Sequence, residues 1–188
     1  MQTKIFKDKD IDISIIQSKK IGIVGFGNQG KAQALNLIES NVNVTVGIRK
    51  NSTSIRLLKK YNIPYLPIDE LVKNVDIISL LVPDSEMPSV YSNLIENHLT
   101  KGQTLLFSHG YNIYYNLIKV PKNINVGMVA PSGGGQLLRD KFKEGSGIPA
   151  LLAVYNDCSG NTLEVIKSYS KAIGSSRICS FLSSFFSQ

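Results

Sequence analysis

Three glycines stand at the spacing of a phosphate-binding turn: Gly25-Phe26-Gly27-Asn28-Gln29-Gly30 matches G-x-G-x-x-G. In such a turn Gly25 permits the sharp reversal, Gly27 lets a pyrophosphate approach the backbone, and Gly30 permits close helix-strand contact. The amides and dipole at the following helix start attract the anion. Three further stretches carry reactive or charged side chains: Arg49-Lys50-Asn51-Ser52-Thr53-Ser54, Asp84 after Leu81-Val82-Pro83, and His109 in Phe107-Ser108-His109-Gly110. A site that prefers NAD usually has an Asp or Glu about 20 residues beyond the glycines, bonded to the ribose 2′-hydroxyl. No carboxylate stands there in this chain. Arg49 is expected instead to hold a 2′-phosphate with charge-assisted hydrogen bonds of about 1.5–3 kcal/mol each, helped by Ser52 and Ser54. NADP(H) is therefore the expected cofactor. The alternative makes Arg49 and Lys50 solvated loop cations and Ser54 a helix cap. Pro131-Ser132-Gly133-Gly134-Gly135 either closes over a nicotinamide or forms a flexible turn.

These residues need a scaffold, and the hydrophobic pattern describes one. Apolar and β-branched runs predict strands over 20–24, 42–48, 76–82, 104–108, 125–130 and 150–155. Helical spacing predicts helices over 31–39, 54–61, 68–73, 89–96 and 161–173, the last bounded by Gly160 and Gly174. The alternation implies an α/β fold of the Rossmann type, doubly wound, with a mostly parallel sheet and helices on both faces. Asp84 and His109 then fall beyond the carboxyl ends of strands, where open α/β sheets bind ligands. The expected division is an N-terminal extension over 1–19, a dinucleotide-binding domain over 20–180 and a C-terminal tail over 181–188. That tail is mostly serine and phenylalanine with no charged side chain, and either adds a final strand or stays frayed.

Composition narrows the function classes. In 188 residues, 43% apolar and 19% charged, no run approaches the roughly 18 apolar residues of a membrane span. Met1 to Asp10 lacks the continuous apolar stretch of a secretory signal. The expectation is a cytoplasmic protein without membrane contact. The formal charge of +7 is carried by scattered lysines, with no arginine-rich helix and no basic-aromatic interleaving, so a nucleic-acid partner is not expected. A small polyanionic ligand suits the same excess. Cys158 and Cys179 have neither metal-ligand spacing nor companions and read as free thiols in a reducing compartment.

Taken together, these residues resemble the N-terminal domain of ketol-acid reductoisomerase over residues 20–177. The resemblance rests on the glycine motif followed by Ala34-Leu35-Asn36-Leu37, on Val46-Gly47-Ile48-Arg49 with Ser52 and Ser54, and on Leu81-Val82-Pro83-Asp84. It extends through Ser108-His109-Gly110-Tyr111-Asn112-Ile113, Val129-Ala130-Pro131 and Gly147-Ile148-Pro149-Ala150-Leu151. It implies an enzyme of branched-chain amino-acid biosynthesis that uses NADPH and Mg²⁺ to isomerise an acetohydroxy acid by alkyl migration and reduce the product to a dihydroxy acid. It further implies that Phe26, Gly27, Asn28, Gln29, Arg49, Ser52, Ser54, Asp84, Ser85, Glu86, Met87 and Gly135 touch the cofactor, and that His109 is the active-site histidine.

The chain departs from that family at Ser132, where a lysine is usual, and at Lys31 and Gln33, where histidines are usual. In the family a helical C-terminal domain holds two Mg²⁺ ions through acidic residues, whereas this chain has no Asp or Glu after Glu164. The resemblance therefore implies the cofactor half of the enzyme, with no metal ligands of its own. A separate chain carrying the C-terminal domain and a homo-oligomer are the expected partners, and a catalytically inactive NADP(H)-binding remnant or module is the alternative. The phosphate reading of Arg49 predicts that NADPH quenches or enhances fluorescence at concentrations about tenfold lower than NADH does, and that Arg49→Ala removes the difference. Equal titration curves for both dinucleotides with the unaltered chain would contradict it.

Overall fold

A computed structural model describes residues 4–185 of the chain. The six apolar runs become strands and three short strands join them, so the described residues form β1 (Ile5–Phe6), β2 (Lys20–Val24), β3 (Asn43–Ile48), β4 (Tyr65–Pro67), β5 (Ile77–Leu80), β6 (Thr104–Phe107), β7 (Asn125–Pro131), β8 (Ala150–Asn156) and β9 (Ser180–Leu182). They form one sheet in the order β1-β9-β8-β7-β6-β5-β2-β3-β4. The six strands from β4 to β7 run parallel. Beyond them β8 is antiparallel to β7, β9 parallel to β8, and β1 antiparallel to β9.

The helices are α1 (Ser14–Gln17), α2 (Asn28–Glu39), α3 (Ile55–Lys60), α4 (Ile68–Val72), α5 (Met87–Val90), α6 (Tyr111–Tyr114), α7 (Gly135–Lys143) and α8 (Thr162–Ala172). Neighbouring residues of a central strand point to opposite faces. Ile77 and Leu106 accordingly join a core with Ala34 and Leu37 of α2 and Ile166 and Tyr169 of α8. Ile78, Leu80, Leu105 and Phe107 join the opposite core with Leu71 of α4, Met87 and Val90 of α5 and Ile113 of α6. Both faces are thus covered, which is why the strand sequences are almost wholly apolar.

β2 has β3 on one side and β5 on the other. The chain leaves β2 toward one edge and later returns to its other side, so a crevice opens above the carboxyl ends of β2 and β5. Among the described residues, no helix is long and apolar enough to cross a membrane.

Several elements differ from the sequence expectation. The helix expected over 31–39 begins at Asn28, inside the glycine motif. The helix expected over 89–96 starts at Met87 and widens after Val90 into a π-helical stretch, Tyr91–Ile95, before a 3₁₀ turn, Glu96–His98. α7 was not anticipated, because three glycines masked its start. The short elements β1, β4, α1 and α6 carry too few residues for a period to be read.

The stretch before Lys20 is tied to the sheet by β1 and to α8 by the Ile16 N–H, which donates to Ser168 Oγ at 3.1 Å. Lys171 Nζ also donates to the Asp8 and Ile11 carbonyls at 2.6 and 2.9 Å. Of the segment expected as a tail, Phe181 and Leu182 join Ser180 in β9, and Phe185 is buried. Residues 186–188 lie outside the described ones.

α2 and α7 are held together by Arg139, 9% exposed, whose Nη1 donates to Asn36 Oδ1 at 2.8 Å and whose Nη2 pairs with Glu39. The hydrogen bond from Arg139 holds the Glu39 carboxyl below the usual glutamate range, against a smaller opposing effect of burial. A carboxyl so depressed stabilises the fold above its unfolded pKa of about 4.3, and the contribution is lost as pH falls through the lower folded value. Thermal melts should show the unaltered chain more stable than Glu39→Gln at pH 7 by at most a few degrees, since the carboxylate is half exposed. The gap should close below about pH 4; a gap that widens in acid would refute the assignment.

Candidate functional site

The glycine motif turns the chain from β2 into α2, and its three glycines meet different surroundings. Gly25 has φ +99°, and a Cβ there would lie 2.9 Å from the Leu81 carbonyl oxygen. A Cβ on Gly30 would lie 2.3 Å from the Gly25 carbonyl oxygen. Both positions are closed to side chains by the protein itself. Gly27 is different: its φ of −79° suits any residue, and a Cβ would meet nothing within 4 Å. It caps the twelve-residue α2 without any side-chain hydrogen bond, which leaves the helix's first N–H groups without a side-chain acceptor at their positive end.

Two clefts flank this turn. On the β3 side, a cleft of about 480 Å³ is lined by Gly25, Phe26, Arg49, Ser52, Ile68 and Val82, among others. Ser52 also accepts the Ser54 N–H at 3.2 Å, and Ser54, the N-cap residue of α3, is not among the lining residues. Arg49 pairs with Glu86 from the loop between β5 and α5. Glu86 does not line the cleft, but through Arg49 a carboxylate stands beside it although β3 supplies none.

On the β6 side, a smaller cleft of about 220 Å³ is lined by Gln29, Val82, Pro83, Asp84, Met87, Ser108, His109 and Pro131. Val82 lines both clefts. Ser85 is exposed and lines neither. His109 Nδ1 accepts the Tyr111 N–H at 3.1 Å, which leaves the ring proton on Nε2, free to donate.

α7 closes the site from a third side. A Cβ on its first residue, Gly135, would stand 2.1 Å from the Asn28 carbonyl oxygen. The preceding loop is held by Gln29 Nε2, which donates to the Gly133 carbonyl at 2.9 Å. Lys31, Arg139 and Lys143 line a concavity with Gly27, Asn28, Glu39 and Gly135, where Arg139 is already paired with Glu39 toward the far end of α2. A polar concavity of about 560 Å³ also opens at the amino ends of β2, β5 and β6, among Lys19, Lys20, Lys73 and Lys101. It lies at the opposite end of the sheet from the crevice and has no glycine turn, so chemistry favours the smaller clefts.

Sequence reasoning missed the residues that lock these parts together. Gln33 is fully buried; its Nε2 donates to Gln29 Oε1 at 3.1 Å and Ser108 Oγ at 3.2 Å, and its Oε1 accepts from Tyr169 at 2.8 Å. Burial pushes the Tyr169 phenol up, so it keeps its proton as donor. Asn112, also buried, donates through Nδ2 to the Asp84 carbonyl and carboxylate, both at 3.2 Å. Its Oδ1 is buried without a partner. The sequence marked Gln33 only as standing where a histidine is usual and Asn112 only as part of the stretch after His109, and neither signal pointed to these partners.

Residues 15–179 match the family described as the NADPH-binding domain of acetohydroxy acid isomeroreductase. The chain belongs to this family. It is 42% identical over 175 residues to the ketol-acid reductoisomerase (NADP(+)) of Methanocaldococcus jannaschii, covering 93% of this chain and 53% of that protein. Its fold superposes with a TM-score of 0.93 and 36% identity on an NADH-preferring ketol-acid reductoisomerase from an uncultured archaeon, over 97% of this chain and 56% of the other. The chain thus spans about half the length of both relatives. A semialdehyde dehydrogenase NAD-binding protein from Cupriavidus necator, at 17% identity and a TM-score of 0.74, shares the fold alone.

The backbone contact at Gly135 makes a direct prediction. Because the obstructing atom is a carbonyl rather than a flexible side chain, Gly135→Ala must push α7 off α2, at a cost of about 1–3 kcal/mol by thermal or urea unfolding. A variant as stable as the unaltered chain would show that the two helices are not so closely apposed.

Proposed function

We propose that this chain binds NADP(H) across the carboxyl ends of β2, β3 and β5 and serves as the cofactor half of a ketol-acid reductoisomerase. The observation that carries the reading is Gly27. Neither its backbone angles nor any neighbouring atom requires glycine there, yet a side chain would fill the space above the uncapped α2 amides. In this reading Phe26, Gly27, Asn28 and Gln29 receive the pyrophosphate at the helix start. Arg49, Ser52 and Ser54 form the 2′-phosphate end. Asp84, Ser85, Glu86 and Met87 flank the crevice from the β5 side and Gly135 from α7. The NADP(+) named for the Methanocaldococcus relative supports the phosphorylated cofactor, as does the arginine after β3; the archaeal relative's stated preference for NADH shows that the same fold takes either.

NADPH, when bound, supplies the hydride for reduction of a keto acid formed from an acetohydroxy acid. His109 would offer Nε2–H to a substrate oxygen beside the nicotinamide end, and Gln33, through Ser108 and Gln29, would hold that end in register. Mg²⁺ does not fit the described residues, because no group of three or more His, Cys, Asp or Glu side chains able to hold a metal ion lies together among them. Metal ligands and most substrate contacts would come from sequence outside residues 4–185 or from a separate chain, and a homo-oligomer could complete the site. The free thiols Cys158 and Cys179 suit a cytoplasmic setting.

The test is a fluorescence titration of NADPH against the chain and against Gly27→Ala. The substitution should leave stability within about 1 kcal/mol, as expected for glycine-to-alanine at a helix cap. It should raise the NADPH Kd about tenfold or more, because the phosphate can no longer reach the backbone. Undiminished binding by Gly27→Ala would sink the reading.

A further inference from the structure

Arg49, which lines the cleft beside β3, has a carboxylate partner that β3 does not supply. Glu86 stands at the N-terminus of α5, in the loop after β5; it is not among the residues that line the cleft, but its side chain pairs with Arg49 Nη2. Arg49 is the cation that would meet a 2′-phosphate, and here it already has a partner. Both side chains are partly exposed, 63% for Arg49 and 48% for Glu86. Exposed ion pairs are weakly held, so this one can open when a better anion arrives. No buried contact of Glu86 would be lost, since the residue is exposed and the rest of α5 is anchored by the apolar Met87 and Val90.

We propose that Glu86 is the specificity-determining residue of the dinucleotide site, setting how far the chain prefers NADPH over NADH. The inference rests on the dinucleotide reading above and goes further, because it assigns opposite effects of one side chain on two ligands. A 2′-phosphate carries a charge of about −1.5 to −2 at pH 7. To bind it, Arg49 must turn from Glu86 or be shared, and the displaced carboxylate remains close enough to repel the phosphate. NADH makes no such demand. Its ribose 2′-hydroxyl can donate to the Glu86 carboxylate, an acceptor-only group, while Arg49 stays paired. Glu86 therefore does from the β5 side what an acidic residue at the end of β3 does in NAD-preferring sites. Ser52, which lines the cleft with Arg49, serves either ligand because a hydroxyl both donates and accepts.

The experiment is a pair of titrations, NADPH and NADH, followed by fluorescence on the full chain and on Glu86→Gln, Arg49→Ala and the double variant. Glutamine preserves the size of the side chain and removes only its charge, and equal melting temperatures will confirm that nothing else has changed. Glu86→Gln should tighten NADPH about three- to tenfold and leave NADH unchanged or weaker, so the NADPH:NADH preference rises. The gain should shrink in high salt, as expected for exposed charges. In the Arg49→Ala background the same substitution should move the preference less, because the competition for Arg49 has gone. An NADPH:NADH preference in Glu86→Gln within twofold of the unaltered chain overturns the proposal, as does an equal gain for both ligands. Failure of every protein to bind either dinucleotide defeats the cofactor reading and this inference with it.

Discussion

Backbone lies directly against backbone at two points around the first turn of α2, and the rest of the site depends on that approach. At one point the Gly25 carbonyl occupies the space where a side chain at Gly30 would project; at the other the Asn28 carbonyl does the same to Gly135. Contact this close is open only to residues without a Cβ. It sets the angle at which α2 leaves β2, and it seats α7 over the same helix start. With both helices fixed, the first amides of α2 are left uncapped and facing the crevice between β2 and β5. The Arg139 contacts to Asn36 and Glu39 then hold the far end of the same helix pair.

A second set of constraints is polar and buried. Tyr169 on α8, Gln33 on α2, Ser108 after β6 and Gln29 beside the glycine turn form one hydrogen-bonded chain that ends at the Gly133 carbonyl before α7. Burying an unpaired amide group is costly, and a satisfied network of this kind fixes one arrangement of the segments it joins. It passes through the core face that carries α2 and α8. On the opposite face Asn112 ties α6, just after His109, to the loop that holds Asp84. The two clefts are therefore walls of one rigid unit, and the groups most free to respond to a ligand are the exposed Arg49 and Glu86.

Much of the scaffold was legible from residue order alone. β2, β3, β5, β6 and β7 announce themselves because a strand covered on both faces must be apolar at successive positions. α2 and α8 do so because a helix covering a sheet must repeat its apolar residues at helical spacing. The glycine motif was legible because it needs specific residues at fixed offsets within a single turn. α7 was not, since a helix that opens on Gly133-Gly134-Gly135 looks like a loop until its contact with Asn28 is seen. β1 and β4 are two and three residues long and owe their strand conformation to the neighbour they pair with.

The amino-acid sequence by itself determined the alternating α/β scaffold, the position of the phosphate-binding turn and the cation after β3, because each is encoded within a few neighbouring residues. Only the tertiary structure decided that Glu86 faces Arg49, that Gln33 joins Ser108 to Gln29, and that Gly27 alone of the motif's three glycines faces open space. These are meetings of residues 37, 75 and more positions apart, or spaces bounded by several segments at once. Local spacing carries no record of them, since they exist only after the sheet has brought its carboxyl ends to one edge.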